Sequence, residues 1–213
     1  MPAPLGTSVV LASGLQAGDN ETLDPAADTI SPMDRAALDE LFDYTGWAWE
    51  RIERVIDALP PEQFGAPVPG SGWPSLSACV EHFTAAYDGW LNGDWALNLG
   101  NSHYPRDGED FPNTPELKVW EGMKEYRAVC RAQCREVLGR EDAWLFTKTD
   151  NDYGDGVIER WAPGDTIANL LLHERGHHGD LNTLFHQVGV RSYIIDYRYF
   201  LTRPDLFSTD DGD

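Results

Sequence analysis

Three histidines within eight residues form the densest group of chemically active side chains, in the segment His173-Glu174-Arg175-Gly176-His177-His178-Gly179-Asp180. His173 and His177 are four residues apart, so on a helix they lie on one face about one turn apart. The same face continues with apolar residues: Ile167, Leu170, Leu181, Leu184 and Val188. Imidazoles in a core-facing stripe need polar partners, because an unpaired buried polar group costs about 1–3 kcal/mol. A shared metal ion would satisfy both rings, and hydrogen bonds to neighbouring groups are the alternative.

His82 is the best candidate for a third ligand. It lies mid-way along a predicted helix, on a face whose small residues leave room beside the imidazole: Ala78, Ala85, Ala86, Gly89 and Gly93. If this face meets the stripe that carries His173 and His177, three imidazoles come together. Such a set suits one divalent ion, Zn²⁺, Ni²⁺ or Fe²⁺. Three protein ligands leave a position open for water or substrate, which is typical of catalytic zinc sites rather than structural ones.

The same segment also matches H-E-x-x-H, the signature of zincin-like metallopeptidases. In that interpretation Glu174 is the general base that activates water at the metal. Asp180 and Thr183 stand where a metzincin continues with Gly and His, and no Glu follows Glu174 as a gluzincin ligand. A zincin also has a sheet before the motif helix, whereas residues 33–138 are predicted to be helical. In a helical bundle, Glu174 would point about 100° away from His173 and would be a surface or interface charge.

The other histidines have weaker claims to a metal. His178 shares a helix face with Leu171 and Phe185 and is expected at a helix or subunit contact. His186 lies near a helix end, where a cation suits the helix dipole, and His103 lies in a predicted loop. No acid–base residue can be assigned, although four are close enough in principle and are each expected to be structural: Tyr87, Asp88, Asp94 and Tyr126.

The three cysteines indicate a reducing compartment rather than a disulfide-built secreted domain. Cys79 lies three residues before His82 and could approach the same ion. Cys130 and Cys134 are four apart on a predicted helix and are expected to be half-buried thiols. No apolar run approaches the roughly 18 residues of a membrane span, and no basic residue precedes the short apolar patch at 9–12, as a signal peptide would require. We therefore predict a cytoplasmic location.

Hydrophobic periodicity predicts the elements that must position these residues. Four long helices are expected at 33–58, 75–97, 115–138 and 165–188, with a short final helix at 193–201. Ser75 can cap the second helix, and Gly139 and Gly189 can end the third and fourth. Helices of this number and length indicate an all-α four-helix bundle.

Long loops connect the predicted helices. Residues 62–74 and 98–113 are rich in Gly, Pro, Asn and Asp, and residues 141–164 read as irregular, with room for a short hairpin around Asp155-Gly156. The loop after the first helix is long enough to return along the bundle, so an up-down-up-down order is not required.

The charge balance limits the partners. Asp and Glu number 36 against 16 Lys and Arg, for a formal charge of −20. A surface this acidic repels nucleic-acid backbones and anionic membranes, so we expect neither as a partner. We expect a small-molecule substrate instead. Residues 1–31 are predicted to be a flexible tail, residues 32–204 the bundle domain, and residues 205–213 an acidic tail.

The order and spacing of these residues resemble the DinB-like (DinB/YfiT) superfamily, whose members are regarded as metalloenzymes. Gly72-Trp73-Pro74-Ser75, followed by Glu81-His82 and Trp90-Leu91, looks like the family's Trp-containing loop and second-helix histidine. His173 and His177-His178-Gly179-Asp180 look like its fourth-helix motif. Three positions depart from the family pattern: His178 replaces the usual Arg, Asp180 the usual Gln, and Leu172 a frequent Asn.

The resemblance covers residues 33–203 and implies an antiparallel-type bundle, frequently a homodimer, with a metal held near one end by His82, His173 and His177. Family members include transferases that use low-molecular-weight thiols and a thiol-dependent isomerase. The resemblance therefore implies a thiol S-transferase or a small-molecule hydrolase that activates a thiol or a water. A zincin-like peptidase and a non-catalytic, stress-related metal-binding dimer are the alternatives.

Overall fold

The computed structural model describes residues 33–93, 97–99, 119–152, 156, 158–191 and 193–206. The predicted N-terminal tail, most of the acidic C-terminal tail, Asp94 and His103 lie outside the described residues.

Helices dominate the described chain. In chain order the elements are α1 (Arg35–Asp57), α2 (Pro61–Phe64), α3 (Leu76–Asn92), α4 (Trp120–Leu138), α5 (Asp142–Leu145), β1 (Thr149–Asp152), β2 (Ile158–Trp161), α6 (Pro163–Gln187) and α7 (Tyr197–Thr202). The four long helices form the bundle, and α7 is the short C-terminal helix. The predicted all-α fold class is confirmed.

Side-chain caps begin two of the long helices. The Asp34 carboxylate accepts a hydrogen bond from the backbone N–H of Ala37 at 2.8 Å at the start of α1. The Ser75 hydroxyl accepts from the backbone N–H of Ala78 at 3.1 Å at the start of α3. These bonds satisfy N–H groups that have no partner within the helix, and Ser75 is the cap expected from the sequence.

Two long helices are shorter than predicted. α3 ends at Asn92 rather than at 97, because Gly93 adopts an extended conformation with ψ of 149°. α4 begins at Trp120 rather than at 115, because Val119 is extended, with φ of −108° and ψ of 142°. A β-branched residue such as Val119 favours that conformation.

The segments between the long helices carry more structure than expected. Residues 62–74 were predicted to be a loop, but α2 forms one helical turn whose Phe64 is buried in the core. The short hairpin is present: Thr149 pairs with Trp161 in an antiparallel register, and Gly156 has a φ of +84° that glycine readily adopts. Asp155 lies outside the described residues.

The helix directions follow from the side-chain contacts. α3 and α4 run in the same direction, because Tyr126 donates to Asp88 and Asn92 donates to Gln133. The last residue of α3 and the first residue of α4 therefore lie at opposite ends of the bundle. An up-down-up-down order, which the sequence does not require, is not adopted.

α6 lies beside both α1 and α3. It is parallel to α1, since Arg175 donates to the Tyr44 hydroxyl and His178 stacks on Trp49 further along both helices. It is antiparallel to α3, as the site described below shows. The order is therefore up-down-down-up. The side chains between the helices are fully buried, among them Leu38, Ile52, Phe83, Leu91, Met123, Ile167, Leu171, Leu181 and Phe185.

Among the described residues, no helix combines the length and the apolar character that crossing a membrane requires.

Candidate metal centre

The three predicted histidines come together between α3 and α6. Nε2 of His173 lies 3.3 Å from Nε2 of His82 and 3.1 Å from Nε2 of His177. A tetrahedral ion with metal–nitrogen bonds of about 2.1 Å sets its ligand nitrogens about 3.4 Å apart. The three nitrogens are therefore spaced as ligands of one ion would be.

The helices explain this convergence. His173 and His177 lie on consecutive turns of α6. α3 brings His82 to them because it runs antiparallel beside α6, so that Cys79, one turn before His82, lies against the backbone carbonyl of His177 (Sγ to O, 3.9 Å). The Trp73 ring, from the loop before α3, fills space beside His82, with centroid distances of 5.1 Å to His82 and 5.2 Å to His177.

Burial favours the neutral form of two of these rings, His82 and His173. Burial lowers the pKa of His82 and of His173 below the usual value of 6.5, and the neighbouring charge of His177 lowers both further. A neutral imidazole keeps the lone pair that a metal needs. Three imidazoles with converging Nε2 atoms form a donor set that suits one divalent cation.

Asp180 links His177 to Trp73. Its Oδ2 accepts hydrogen bonds from Nδ1 of His177 at 2.9 Å and from Nε1 of Trp73 at 3.0 Å. A carboxylate on the far nitrogen of a histidine is the usual support of a metal-binding imidazole. The sequence alone predicts no role for Asp180. The sequence feature that could have indicated this role is the position of Asp180 one helical turn after His177.

Glu174 faces the other side of α6 and is fully buried. It accepts hydrogen bonds from Tyr87 and Arg127, and its carboxylate lies 3.4 Å from Arg131 and 3.1 Å from Nε2 of His178. Burial alone would raise the pKa of Glu174, but the charges of Arg127 and Arg131 hold it well below its usual range. The prediction of a surface or interface charge is therefore wrong, because α3 and α4 present cationic and hydroxyl partners to this side of α6.

This arrangement removes the peptidase alternative. The Glu174 carboxylate is held by two guanidinium groups on a different side of α6 from His173 and His177, so it cannot serve the three clustered histidines as a base. The third histidine, His82, precedes the motif instead of following it. The motif helix belongs to a helical bundle, and the sheet that precedes it is, among the described residues, a single two-stranded hairpin.

The remaining candidates that the structure describes lie outside the three-histidine cluster. His178 is buried and lies at the contact between α6 and α1, stacked on Trp49 at 6.2 Å, as a helix contact would require. Tyr126 donates to Asp88 at 2.9 Å in the α3–α4 interface. His186 is exposed at the end of α6.

The cysteines are free thiols inside the bundle. Cys130 and Cys134 are 1% and 0% exposed, so the expectation of half-buried thiols is wrong, because α4 turns this face inward. Cys79 is also buried, and burial followed by the charge of Asp180 raises the pKa of its thiol well above the usual value. Its Sγ lies within 4.8 Å of ligand atoms of His177 and Asp180.

Fold and site together define a class of protein, a helical bundle that sets three histidines from two antiparallel helices around a space that can hold one metal ion. The chain belongs to the DinB family, whose family model matches residues 33–206. This match contains all seven described helices and all three histidines, and it confirms the family resemblance drawn from the sequence. No curated protein matches the chain at a significant level.

Proposed function

We propose that the protein is a metal-dependent enzyme in which His82, His173 and His177 hold one divalent ion and a coordination position stays open. The observation that supports this most strongly is the convergence of three Nε2 atoms, with adjacent distances of 3.1 and 3.3 Å. A divalent ion held there supplies the positive charge that acidifies a coordinated water or thiol, which yields a nucleophile at neutral pH.

The surroundings favour a small-molecule substrate. All three histidines are half-buried, so their rings are within reach of solvent. Beside them on α6, Leu172 is 55% exposed, and a side chain added at Gly176 would meet nothing within 4 Å. A small molecule with an apolar part can therefore approach the histidines along this side of α6.

The neighbouring carboxylates favour a reaction without a separate general base. Glu174 is held in ion pairs, and Oδ2 of Asp180 already accepts two hydrogen bonds. A nucleophile that the metal itself acidifies fits this site best. In the thiol route, the sulfur forms a bond to an electrophilic carbon, the leaving group departs with its electron pair, and the thiol proton passes to solvent. Hydrolysis by water is the second route.

The finer assignments are also proposals. A low-molecular-weight thiol as co-substrate and a homodimer rest on the family resemblance, the choice among Zn²⁺, Ni²⁺ and Fe²⁺ rests on the three imidazole donors, and a cytoplasmic location rests on the few cysteines. A non-catalytic metal-binding dimer with a closed coordination sphere is the competing proposal.

The experiment compares protein loaded with each of the three metals against a panel of thiols with a chromogenic electrophile, and against chromogenic esters. The proposal predicts turnover that needs the metal, is lost in His82→Ala and is kept in His186→Ala, which alters an exposed histidine of α6 outside the cluster. Bound metal without turnover, and with no exchangeable water by X-ray absorption or relaxation measurements, would contradict the enzyme proposal.

A further inference from the structure

Asp180 is the point where the metal-binding helix meets the loop before α3. Its Oδ2 lies 2.9 Å from Nδ1 of His177 and 3.0 Å from Nε1 of Trp73. A carboxylate oxygen accepts, so the Nδ1 of His177 carries the proton in this hydrogen bond. The Nε2 of the same ring then carries the lone pair, and this is the atom that faces His173.

Asp180 and His177 could instead take part in a second metal site, but their geometry disfavours this. Cys79, His177 and Asp180 offer ligand atoms within 4.8 Å of one another, as a second metal position would. However, Oδ2 of Asp180 already accepts two hydrogen bonds, and burial keeps the Cys79 thiol protonated by raising its pKa. Metal binding there through Oδ2 would compete with both hydrogen bonds, and binding through Cys79 would have to ionise a fully buried thiol.

We propose that Asp180, held by Trp73, is a positioning residue that keeps His177 in the Nδ1–H tautomer and aims its Nε2 at the metal position. The proposal rests on the proposed function, because this tautomer matters only if Nε2 binds a metal. Carboxylate partners of this kind change metal affinity by about 10- to 100-fold when they are removed.

Trp73 also helps to orient the ligand on α3. Its indole N–H anchors Asp180 of α6, while its ring lies 5.1 Å from the His82 ring of α3. The loop that carries Trp73 is itself fixed, since the Ser71 hydroxyl accepts from the Trp73 backbone N–H at 3.0 Å. One aromatic residue therefore orients ligands on both helices, one directly and one through Asp180.

The tautomer can be observed without any metal by long-range ¹H–¹⁵N correlation spectra of the histidine rings. We expect the Nδ1–H form of His177 in the metal-free wild type and a shift toward Nε2–H in Asp180→Ala. Asp180→Asn should restore the Nδ1–H form, because the amide oxygen still accepts, and Glu136→Ala, an exposed carboxylate on α4, should leave it unchanged. An Nε2–H wild type, or an unchanged ring in Asp180→Ala, would overturn the proposal.

Zinc affinity, measured by competition with a chromogenic chelator, tests the consequence. We expect Asp180→Ala to weaken zinc binding about 10- to 100-fold, Asp180→Asn to weaken it less, and Trp73→Phe to weaken it while it keeps an aromatic ring. Unchanged affinity in Asp180→Ala would overturn the proposal. So would a thiolate-to-metal absorption band of the Co²⁺-loaded wild type that Cys79→Ser removes, since it would show that Cys79 and its neighbours bind a metal themselves.

The two proposals fail in different ways. Wild-type protein that binds no metal but shows the predicted change of tautomer would contradict the metal-dependent function and leave the role of Asp180 in fixing the His177 ring supported. Wild-type protein that binds one ion with an affinity independent of Asp180 would contradict the positioning role alone.

Discussion

His173 and Glu174 are consecutive on α6, yet the imidazole of His173 faces two other histidines while the Glu174 carboxylate is fully buried on another face of the helix. Successive residues of a helix point about 100° apart. α6 therefore carries His173 and His177 of the histidine cluster on one side and the central ion pair of the bundle, with Arg127 and Arg131, on another.

Replacement of the buried carboxylate tests this division. Glu174→Gln leaves the guanidinium groups of Arg127 and Arg131 without a charged partner inside the bundle. We expect the free energy of unfolding to fall by about 3–5 kcal/mol, as when one partner of a buried ion pair is removed. Urea denaturation followed by circular dichroism measures it.

The same variant separates a structural role from a role at the metal. Metal stoichiometry in Glu174→Gln should equal that of the wild type, because the carboxylate touches none of the three histidines. The exposed Glu136→Gln is the matched control and should change stability by no more than about 0.5 kcal/mol. An equally stable Glu174→Gln protein would contradict the ion-pair account.

The cluster was predictable from helix geometry, and its surroundings were not. The four-residue spacing placed His173 and His177 on one apolar helix face. The small residues on the face of His82 indicated room for a ligand beside its imidazole. The burial of Glu174 depends on Arg127 and Arg131, which lie in another helix, and periodicity does not say which faces of two helices meet. Asp180 was missed for the same reason, since its partner Trp73 lies 107 residues earlier in a loop.

Topology shows a similar limit. The four long helices were predictable because each carries its own hydrophobic periodicity. The shared direction of α3 and α4 was not, because it depends on contacts between helices such as that of Tyr126 with Asp88. The ends of α3 and α4 were set by the extended backbone of Gly93 and Val119 rather than by the end of the apolar pattern.

The histidines predict a pH dependence. Burial first, and then the charge of His177, holds the pKa of His82 and His173 below 6.5, so in the unfolded chain these rings take up protons at higher pH than in the folded chain. The free energy of unfolding of the metal-free protein therefore decreases as pH falls below about 6.5. Zinc affinity falls in the same window, because protons compete for the same nitrogens.

Urea midpoints measured in the presence of a chelator, between neutral and mildly acidic pH, test this dependence. His82→Gln removes one of the rings whose pKa is lowered in the folded protein, so its stability should fall less steeply with acidification than that of the wild type. Parallel curves for the two proteins would show that His82 does not contribute.

Arg51 is predicted to hold the last described residues onto α1. Its guanidinium stacks 3.6 Å above the Trp47 ring and donates hydrogen bonds to the backbone carbonyls of Pro204 and Leu206. Arg51 is almost fully buried, and Arg51→Ala removes these hydrogen bonds from the interior. We expect a loss of about 1–3 kcal/mol in stability and faster hydrogen exchange of the Arg203 and Leu206 amides, which donate to the carbonyls of Tyr199 and Arg203.

Metal stoichiometry should not change in Arg51→Ala, because the side chain lies on α1 and contacts the C-terminal segment rather than the histidines. Arg51→Lys, which keeps the charge but not the planar fork, should be intermediate in exchange rate. Unchanged hydrogen-exchange protection of the Arg203 and Leu206 amides in Arg51→Ala would contradict this role of Arg51.

The most direct test of the central claim is elemental analysis of protein purified without a metal-affinity tag, with wild type compared with His82→Ala, His177→Ala and His186→Ala. The account predicts about one divalent ion per chain in the wild type and in His186→Ala, since three imidazoles with an open position form one site. It predicts loss of that ion in His82→Ala and in His177→Ala. A wild type that binds no ion after incubation with Zn²⁺, Ni²⁺ or Fe²⁺, or a His82→Ala variant that retains it, would contradict the account.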